Sequence, residues 1–334
     1  AGNDPDVWAQ LSAQLGLTAL IIPEEYGGLG YGTVELAVVL EEMGAALLVS
    51  PYFATVALAA QALIASGNAS AQARWLPGIA DGSVTATLAV SDEGGPWELA
   101  GVAAAATATG DSWSITGTKS FVVDGDTADI ILVAAWADSE LELFVVEGQA
   151  PGLTRTRLET LDATRRLARL ELEGVEAVRV GLRDASDLLE RTADLVAVAL
   201  AAEQVGGAQR CLDMAVDYAK VREQFGRPIG SFQAIKHKCA DMLVQVESAR
   251  SAATYAAAVA ADGGPEASIA ASLAKSYCSE AFTHAAKESI QVHGGIGFTW
   301  EHDAHLYLKR AKSSELLFGS PVEHRARLAQ LAGI

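Results

Sequence analysis

The chain has 334 residues, of which 42 are acidic and 24 are Lys or Arg, so its formal net charge is −18 with neutral histidines. Half of the residues are hydrophobic and a fifth are charged, which is typical of a globular protein rather than a disordered one. A chain this acidic repels the phosphate backbone of nucleic acids, so a nucleic-acid partner is not expected.

The cysteines give no sign of a disulfide framework or a metal site. Cys211, Cys239 and Cys278 are isolated, and no CxxC pair is present. Their odd number, together with the lack of a charged leader followed by a cleavage site, favours a cytoplasmic location. No uninterrupted run of about 18 apolar residues occurs, so a membrane-spanning helix is not expected.

The first part of the chain is predicted to be helical. Apolar residues recur at helical spacing over residues 6–17, 33–43, 54–65 and 69–76. Residues 21–30 interrupt this pattern with one Pro and three Gly, which indicates a loop. These segments predict an N-terminal helical domain over residues 1–84.

The next part is predicted to be β-rich. Short β-branched runs bounded by Gly and Asp predict strands over residues 85–90, 114–123, 130–135, 141–146 and 167–172. Short strands with tight turns indicate a β-sandwich or barrel, here assigned to residues 85–183. A parallel sheet is not indicated, because the strands do not alternate with helices.

The remaining residues, 184–334, are predicted to form a four-helix bundle. Long Ala-rich patterns with helical periodicity cover residues 188–222, 231–261, 266–292 and 301–317. Ser231 is predicted to cap the second of these helices. The length favours roughly two domains, but the change of pattern predicts three, in an α+β multidomain fold.

One motif lies at the corner between the first two bundle helices. Gly226, Pro228 and Gly230 predict a turn, and Arg222 and Arg227 offer planar cationic groups in an otherwise acidic protein. Guanidinium groups at a helix end suit a phosphate. The alternative is a structural helix-turn-helix with surface arginines.

A second motif, residues 291–298 (QVHGGIGF), ends the third bundle helix in a cluster of glycines. Glycines let a backbone come close to a ligand. The alternative is a glycine C-cap followed by a loop.

The two motifs, in this order and downstream of a helical and then a β-rich half, resemble the acyl-CoA dehydrogenase family. Residues 22–28 (IPEEYGG) and 117–119 (GTK) also stand where that family has them, so the resemblance covers nearly the whole chain. It implies an N-terminal α-domain that begins part-way, a middle β-barrel and a C-terminal four-helix bundle. It also implies FAD, bound in extended form at a subunit interface.

The implied reaction is the α,β-dehydrogenation of an acyl-CoA thioester, as in fatty acid or steroid side-chain β-oxidation. Electrons would pass to an electron-transfer flavoprotein, and the protein would be a homo- or hetero-oligomer.

The resemblance assigns contacts with FAD to two groups of residues in the bundle. Those that meet the pyrophosphate and adenosine are Arg222, Gln224 and Phe225, with Gln233 nearby. Those that reach the FAD of the neighbouring subunit are Gln291, Gly294 and Gly295.

In the β-domain the match to the family is degraded. Ser91 takes the place of a flavin-bonding Thr, Phe121 that of a Trp that shields the flavin, and Val123 that of a second flavin-bonding Thr, so one hydrogen-bond donor is lost. The glycine-rich continuation of the Ser91 loop is replaced by residues 95–97 (GPW).

The catalytic base of the family is missing from its expected place. The Glu of a YEGT-like motif is here Phe318, and the alternative position on the first bundle helix is Val196. Glu315 and Glu203 are weak substitutes, for which a solvated helix face and a polar group inside the bundle are the favoured interpretations.

Several functions remain open at this point. The chain resembles the base-less subunits of mixed acyl-CoA dehydrogenases in actinobacterial steroid side-chain degradation, which pair with a catalytic relative. One alternative is a homo-oligomer whose flavin does other work or uses an unrecognised base. The others are a fold relative with different flavin chemistry, such as an oxidase or a monooxygenase, and a non-catalytic helical scaffold.

Overall fold

The computed structural model describes residues 4–92, 99–110, 112–181 and 184–334. The chain divides into two compact units. The first unit contains Ala1–Gly32, Val49–Thr160 and Arg165–Val196. The second contains Thr33–Leu48, Leu161–Thr164 and Ala197–Ile334.

The N-terminal segments are helical, as their periodicity predicts. They are α1 (Pro5–Ala9), α2 (Thr33–Ala45), α3 (Gln61–Ala65) and α4 (Ala69–Ala80), with π-helical stretches over Gln10–Gln14 and Phe53–Ala60. The side chain of Asn68 caps α4 by accepting from the backbone N–H of Ser70 at 3.1 Å and of Ala71 at 3.2 Å.

The β-rich part forms a closed, barrel-like sheet in the first unit. Its strands are β1 (Ala86–Ala89), β2 (Ala105–Thr109), β3 (Ser112–Val123), β4 (Ile130–Ala137), β5 (Glu140–Glu147), β6 (Leu153–Arg157) and β7 (Leu167–Arg179). The strand order runs β4-β2-β3-β7-β5, and β5 pairs again with β4, so these five strands close a ring. The side chains of Ile115, Phe144 and Leu170 fill its core.

Two predictions about this sheet are corrected. Both β1 and β2 pair with β4 in parallel, so the sheet is mixed. Parallel strands need a crossover connection, and here other strands provide it in place of a helix. β2 and β3 lie between β1 and β4 in sequence, and β3 lies between β2 and β4. The strands β2 and β6 are missing from the prediction, because their sequences, AATAT and LTRTR, contain few large apolar side chains and are largely exposed.

The C-terminal part consists of α5 (Ser186–Val221), α6 (Gln233–Asp262), α7 (Ala267–His293), α8 (Ala304–Leu316) and α9 (Pro321–Leu331). The four predicted bundle helices are present, and α9 is additional. Ser231 does not cap α6: it lies in a 3-10 turn, Ile229–Ser231, and Phe232 occupies the cap position without a side-chain hydrogen bond.

Close approach of α2 to α5 is possible because both helices carry glycine at the contact. A Cβ on Gly44 would lie 2.0 Å from the carbonyl oxygen of Glu203, and one on Gly206 would lie 1.8 Å from that of Glu41. Any larger residue would force the helices apart.

The described residues also show whether the chain has a membrane-spanning helix, a cluster of metal ligands or a disulfide. No helix in that part of the chain is long and apolar enough to cross a membrane. No three His, Cys, Asp or Glu side chains are grouped there as metal ligands would be. The thiols of Cys211, Cys239 and Cys278 are free.

Candidate functional site

The corner motif forms a small exposed hairpin after α5. The strands β8 (Glu223–Gln224) and β9 (Arg227–Pro228) pair, and the N–H of Ile229 donates to the carbonyl of Arg222 at 2.8 Å. Phe225 and Gly226 at its tip both have positive φ, of 55° and 75°. A bulky residue in this conformation is strained, and such strain is concentrated at functional sites.

The hairpin presents polar and aromatic groups to solvent. Phe225 is 90% exposed, and its ring meets that of Phe232 edge-on at 6.0 Å. The guanidinium of Arg227 lies over the Phe232 ring at 4.1 Å. Arg222 and Gln224 are exposed on the hairpin, and Gln233 is exposed at the start of α6.

The glycine motif forms an open turn after α7. Gly294 adopts φ 63°, which favours glycine. A Cβ built on Gly294 or Gly295 would meet no atom within 4 Å, so the space beside both residues is open. Gln291, on the last turn of α7, is exposed.

The structure brings the corner and the glycine turn together. The ring of His293, directly before Gly294, stacks on the ring of Tyr218 with a centroid distance of 4.5 Å. Tyr218 lies one helical turn before Arg222, whose N–H donates to the Tyr218 carbonyl at 2.8 Å. Burial lowers the pKa of His293, so this ring is neutral at pH 7.

The β-domain positions lie in the first unit, where a buried ion pair holds Asp92, next to Ser91. Lys119 is fully buried, and its ammonium donates to the Val90 carbonyl at 2.9 Å and to the carboxylate of Asp92. That carboxylate also accepts from the backbone N–H of Ala104 at 2.9 Å. The GTK motif contains Lys119, but the motif assigns no role to this side chain, although a Lys inside a β-branched strand is a usable signal. Residues 93–97 of the Ser91 loop lie outside the described residues.

Ser91, Phe121 and Val123 differ in accessibility. Ser91 is half-buried, and its carbonyl accepts from the N–H of Ser120 at 2.9 Å. Phe121 is 51% exposed at a register shift between β3 and β7, with φ 56°. Val123 is buried and its carbonyl accepts from the Thr87 hydroxyl at 2.5 Å, so Val123 adds no donor to a flavin site.

The turn at the expected base position carries Phe318, which is buried with φ 59°. Its carbonyl meets Nε2 of His324 at 2.9 Å. The ammonium of the fully buried Lys275 donates to the carbonyl of Gly319 at 2.8 Å and to that of Glu315 at 3.2 Å. The turn is therefore held through its backbone, and it offers no carboxylate.

The first weak substitute, Glu315, is half-buried rather than on a solvated face. Its carboxylate accepts from Thr283 at 2.6 Å and from Lys312 at 2.7 Å. Burial acts to raise the pKa of Glu315, but these hydrogen bonds outweigh burial and hold the pKa below its usual value. A general base for an α-proton needs a raised pKa, so Glu315 is poorly suited to that role.

Glu315→Gln is therefore expected to leave the turnover of the assembled enzyme within about twofold, since loss of a true general base costs about 100-fold or more. Steady-state turnover with an artificial electron acceptor measures this. A loss of about 100-fold would instead identify Glu315 as the base.

The second weak substitute, Glu203, belongs to a buried charged cluster in the second unit. Arg310 donates to Glu203 at 2.6 Å, to Asp162 at 3.1 Å, and to the hydroxyl and carbonyl of Thr164 at 2.9 and 2.7 Å. Val196, the remaining base position, is buried and apolar. Glu203 is thus engaged by a fixed cation, as the interpretation of a polar group inside the bundle predicts.

Comparison with known proteins identifies the family. The signatures of the acyl-CoA dehydrogenase N-terminal, middle and C-terminal domains match residues 1–83, 87–175 and 186–331. Acyl-CoA dehydrogenase IpdE2 of Mycobacterium tuberculosis is 41% identical over 332 residues, covering 98% of this chain and 86% of that protein. The chain belongs to the acyl-CoA dehydrogenase family.

Other acyl-CoA dehydrogenases are similar along the same length. FadE27 of M. tuberculosis is 34% identical over 339 residues, covering 98% of this chain and 88% of that protein. A variant of the Tcur3481-Tcur3483 steroid ACAD matches with a TM-score of 0.90 and 34% identity, over 99% of this chain and 89% of that one. The ChsE4-ChsE5 complex from M. tuberculosis matches with a TM-score of 0.90 and 33% identity, over 99% and 88%.

These matches confirm the predicted family, the three-part fold and the class of flavin-linked oxidoreductase that acts on CH–CH bonds. The domain boundaries at residues 84 and 183 and the roles of the site residues stay predictions. The exposed Arg222, the exposed Phe225 ring and the open space beside Gly294 and Gly295 fit the phosphates and base of a flavin nucleotide.

Proposed function

We propose that this chain is the base-less subunit of a mixed acyl-CoA dehydrogenase: it contacts FAD, and a related catalytic subunit supplies the carboxylate that removes the α-proton. The observation that carries the proposal is the buried Phe318 at the base position, on a turn held by Lys275 and His324. Glu315 and Glu203 are already engaged by cations.

The relatives support a mixed assembly. Two of the similar structures carry the names of two proteins each, the Tcur3481-Tcur3483 steroid ACAD and the ChsE4-ChsE5 complex. We extend this arrangement to the present chain, with an acyl-CoA thioester as substrate and an electron-transfer flavoprotein as electron acceptor. The free thiols of the described part of the chain are in keeping with a cytoplasmic location.

We assign FAD as the flavin, and two kinds of exposed group support this: a cation able to bind phosphate and an aromatic ring able to stack on a base. Arg222 would neutralise the pyrophosphate, and Phe225 would pack against the adenosine. Phe121 and the Ser91 hydroxyl are the β-domain groups able to contact a flavin ring. When bound, FAD supplies the hydride acceptor of the reaction.

The proposal is tested by purifying the tagged chain from its native cell and measuring the mass and composition of the intact assembly. We expect a second acyl-CoA dehydrogenase polypeptide in equal amount, together with flavin. A homomeric protein with one flavin per chain would contradict the mixed assembly. Oxygen consumption with acyl-CoA would then indicate an oxidase or a monooxygenase, and a colourless homomer would indicate a scaffold.

The role of the corner is tested separately by Arg222→Ala. Loss of one charge-assisted hydrogen bond is expected to cost about 1.5–3 kcal/mol of FAD affinity, or about 10- to 150-fold in Kd. Equilibrium dialysis of the flavin measures this. Arg191→Ala removes an exposed arginine of α5, the helix that precedes the corner, and serves as the control. Equal FAD retention in both variants would contradict the assignment of Arg222 to the FAD pyrophosphate.

A further inference from the structure

A single buried ring connects the two segments assigned to FAD. His293 is 4% exposed and lies between two other rings of the second unit. Its centroid is 4.5 Å from that of Tyr218, nearly parallel at 29°, and 4.2 Å from that of His302. Tyr218 belongs to α5, and His302 lies in the segment that leads into α8.

Hydrogen bonds fix the orientation of these rings. Nδ1 of His293 donates to the carbonyl of Ser289 at 2.7 Å, because a carbonyl can only accept. Nδ1 of His302 accepts from the backbone N–H of Ala304 at 3.1 Å. Each ring is therefore held by backbone as well as by stacking.

The contacts form a continuous path from one motif to the other. Gly294 follows His293 directly, and a Cβ on Gly297 would lie 3.1 Å from the Cβ of His293, so the glycine turn folds closely around this residue. On the other side, the Tyr218 carbonyl accepts from the N–H of Arg222. A change in the distance between the stacked side chains of Tyr218 and His293 would therefore shift the glycine turn relative to the Arg222 corner.

We propose that His293 is a positioning residue, which sets the distance between the glycine turn and the Arg222 corner so that both engage one FAD molecule. The inference rests on the proposed function, because it requires that FAD binds to both segments. It adds a residue that contacts neither the phosphates nor the flavin ring and acts through the Tyr218 stack.

The test compares His293→Ala, which removes the ring, with His293→Phe, which keeps an aromatic ring against Tyr218. The dissociation constant of FAD and the melting temperature of the flavin-depleted protein are measured, with any co-purifying subunit present. We expect His293→Ala to weaken FAD binding by about tenfold or more, and His293→Phe to stay within about threefold of the wild type. Rescue by Phe is the outcome that a general loss of stability would not produce.

Val205→Ala is the matched control. Val205 is fully buried in a different cluster of the same bundle, so its truncation lowers the melting temperature without touching the stack. We expect unchanged FAD affinity in this variant. If His293→Ala does not fold, Tyr218→Leu removes the stack from the other side while keeping apolar volume, and it should weaken FAD binding similarly.

Two results overturn the proposal in distinguishable ways. If the wild type binds FAD and neither His293→Ala nor Tyr218→Leu weakens that binding, only the positioning role fails. If the wild-type assembly binds no FAD, the proposed function fails as well.

Discussion

Arg310→Met is expected to lower the free energy of unfolding by about 3–5 kcal/mol, as is typical when one partner of a buried ion pair is removed. Arg310 is 4% exposed and donates to the carboxylates of Asp162 and Glu203. Burial acts to lower its pKa, but the charges of Glu203 and Asp162 outweigh burial and raise it, so the guanidinium is charged. Met fills a similar volume and removes the charge that both buried carboxylates face. Chemical denaturation of the wild type and of the Arg310→Met variant measures this loss.

Arg325→Met is the control for this experiment. Arg325 pairs with Glu280, and the two side chains are 48% and 56% exposed. An exposed pair of this kind contributes less than about 1 kcal/mol. Equal destabilisation by Arg310→Met and Arg325→Met would contradict a structural role for the buried cluster.

Lys119→Met is expected to lower the free energy of unfolding by about 3 kcal/mol and to release the Ser91 loop. Lys119 is fully buried and pairs with Asp92, whose side chain is 12% exposed. Burial lowers the pKa of Lys119, while the charge of Asp92 opposes that shift. Hydrogen exchange of the Ala104 and Ser120 amides should become faster in the variant. The Ala104 N–H donates to the Asp92 carboxylate, and the Ser120 N–H donates to the Ser91 carbonyl.

A double-mutant cycle isolates the pair from other effects of the substitution. Asp92→Asn keeps the shape of the side chain and removes its charge. We expect the double variant to be less destabilised than the sum of the single variants, with a coupling energy of about 2 kcal/mol. Additive losses, with unchanged exchange of the Ala104 amide, would show that Lys119 does not fix this loop.

The order of helices and strands could be predicted from the sequence because it depends on local periodicity. The bundle helices α5 to α8 and the long strands β3, β4 and β5 all carry strong patterns. The helix α9 was missed, although Ser320, Pro321 and Glu323 form a readable capping signature, and the structure contains that capping box. The parallel pairing of β1 with β4 is a non-local property, and no local pattern predicts it.

The residues of the candidate site also fall into two groups, those that a local motif predicts and those whose partners are distant in the sequence. Motifs located Arg222, Phe225 and the glycine turn because those residues are close in sequence. The partners of Lys119, Arg310 and His293 are not predictable in this way, because those that pair with charged groups lie far away in the chain: Asp92 is 27 residues from Lys119, and Asp162 is 148 residues from Arg310. A charged residue within an apolar pattern is the signal that would have marked Lys119 and Lys275.

Backbone conformation adds information that residue types do not give. Phe121, Phe225 and Phe318 all adopt positive φ, at 56°, 55° and 59°. Each stands at a position that the family resemblance assigns to the flavin or to the base. Strain of this kind persists only where the surrounding structure holds it, as Lys275 and His324 hold the turn at Phe318.

The proposal that this chain lacks its own proton-abstracting base is tested most directly by following the flavin absorbance after addition of acyl-CoA under anaerobic conditions. The chain purified alone and loaded with FAD is expected to show no bleaching above background, and the assembly with its co-purifying subunit is expected to bleach. Rapid bleaching by the chain alone would mean that it carries its own base, and would contradict the assignment of Phe318 as a lost catalytic position.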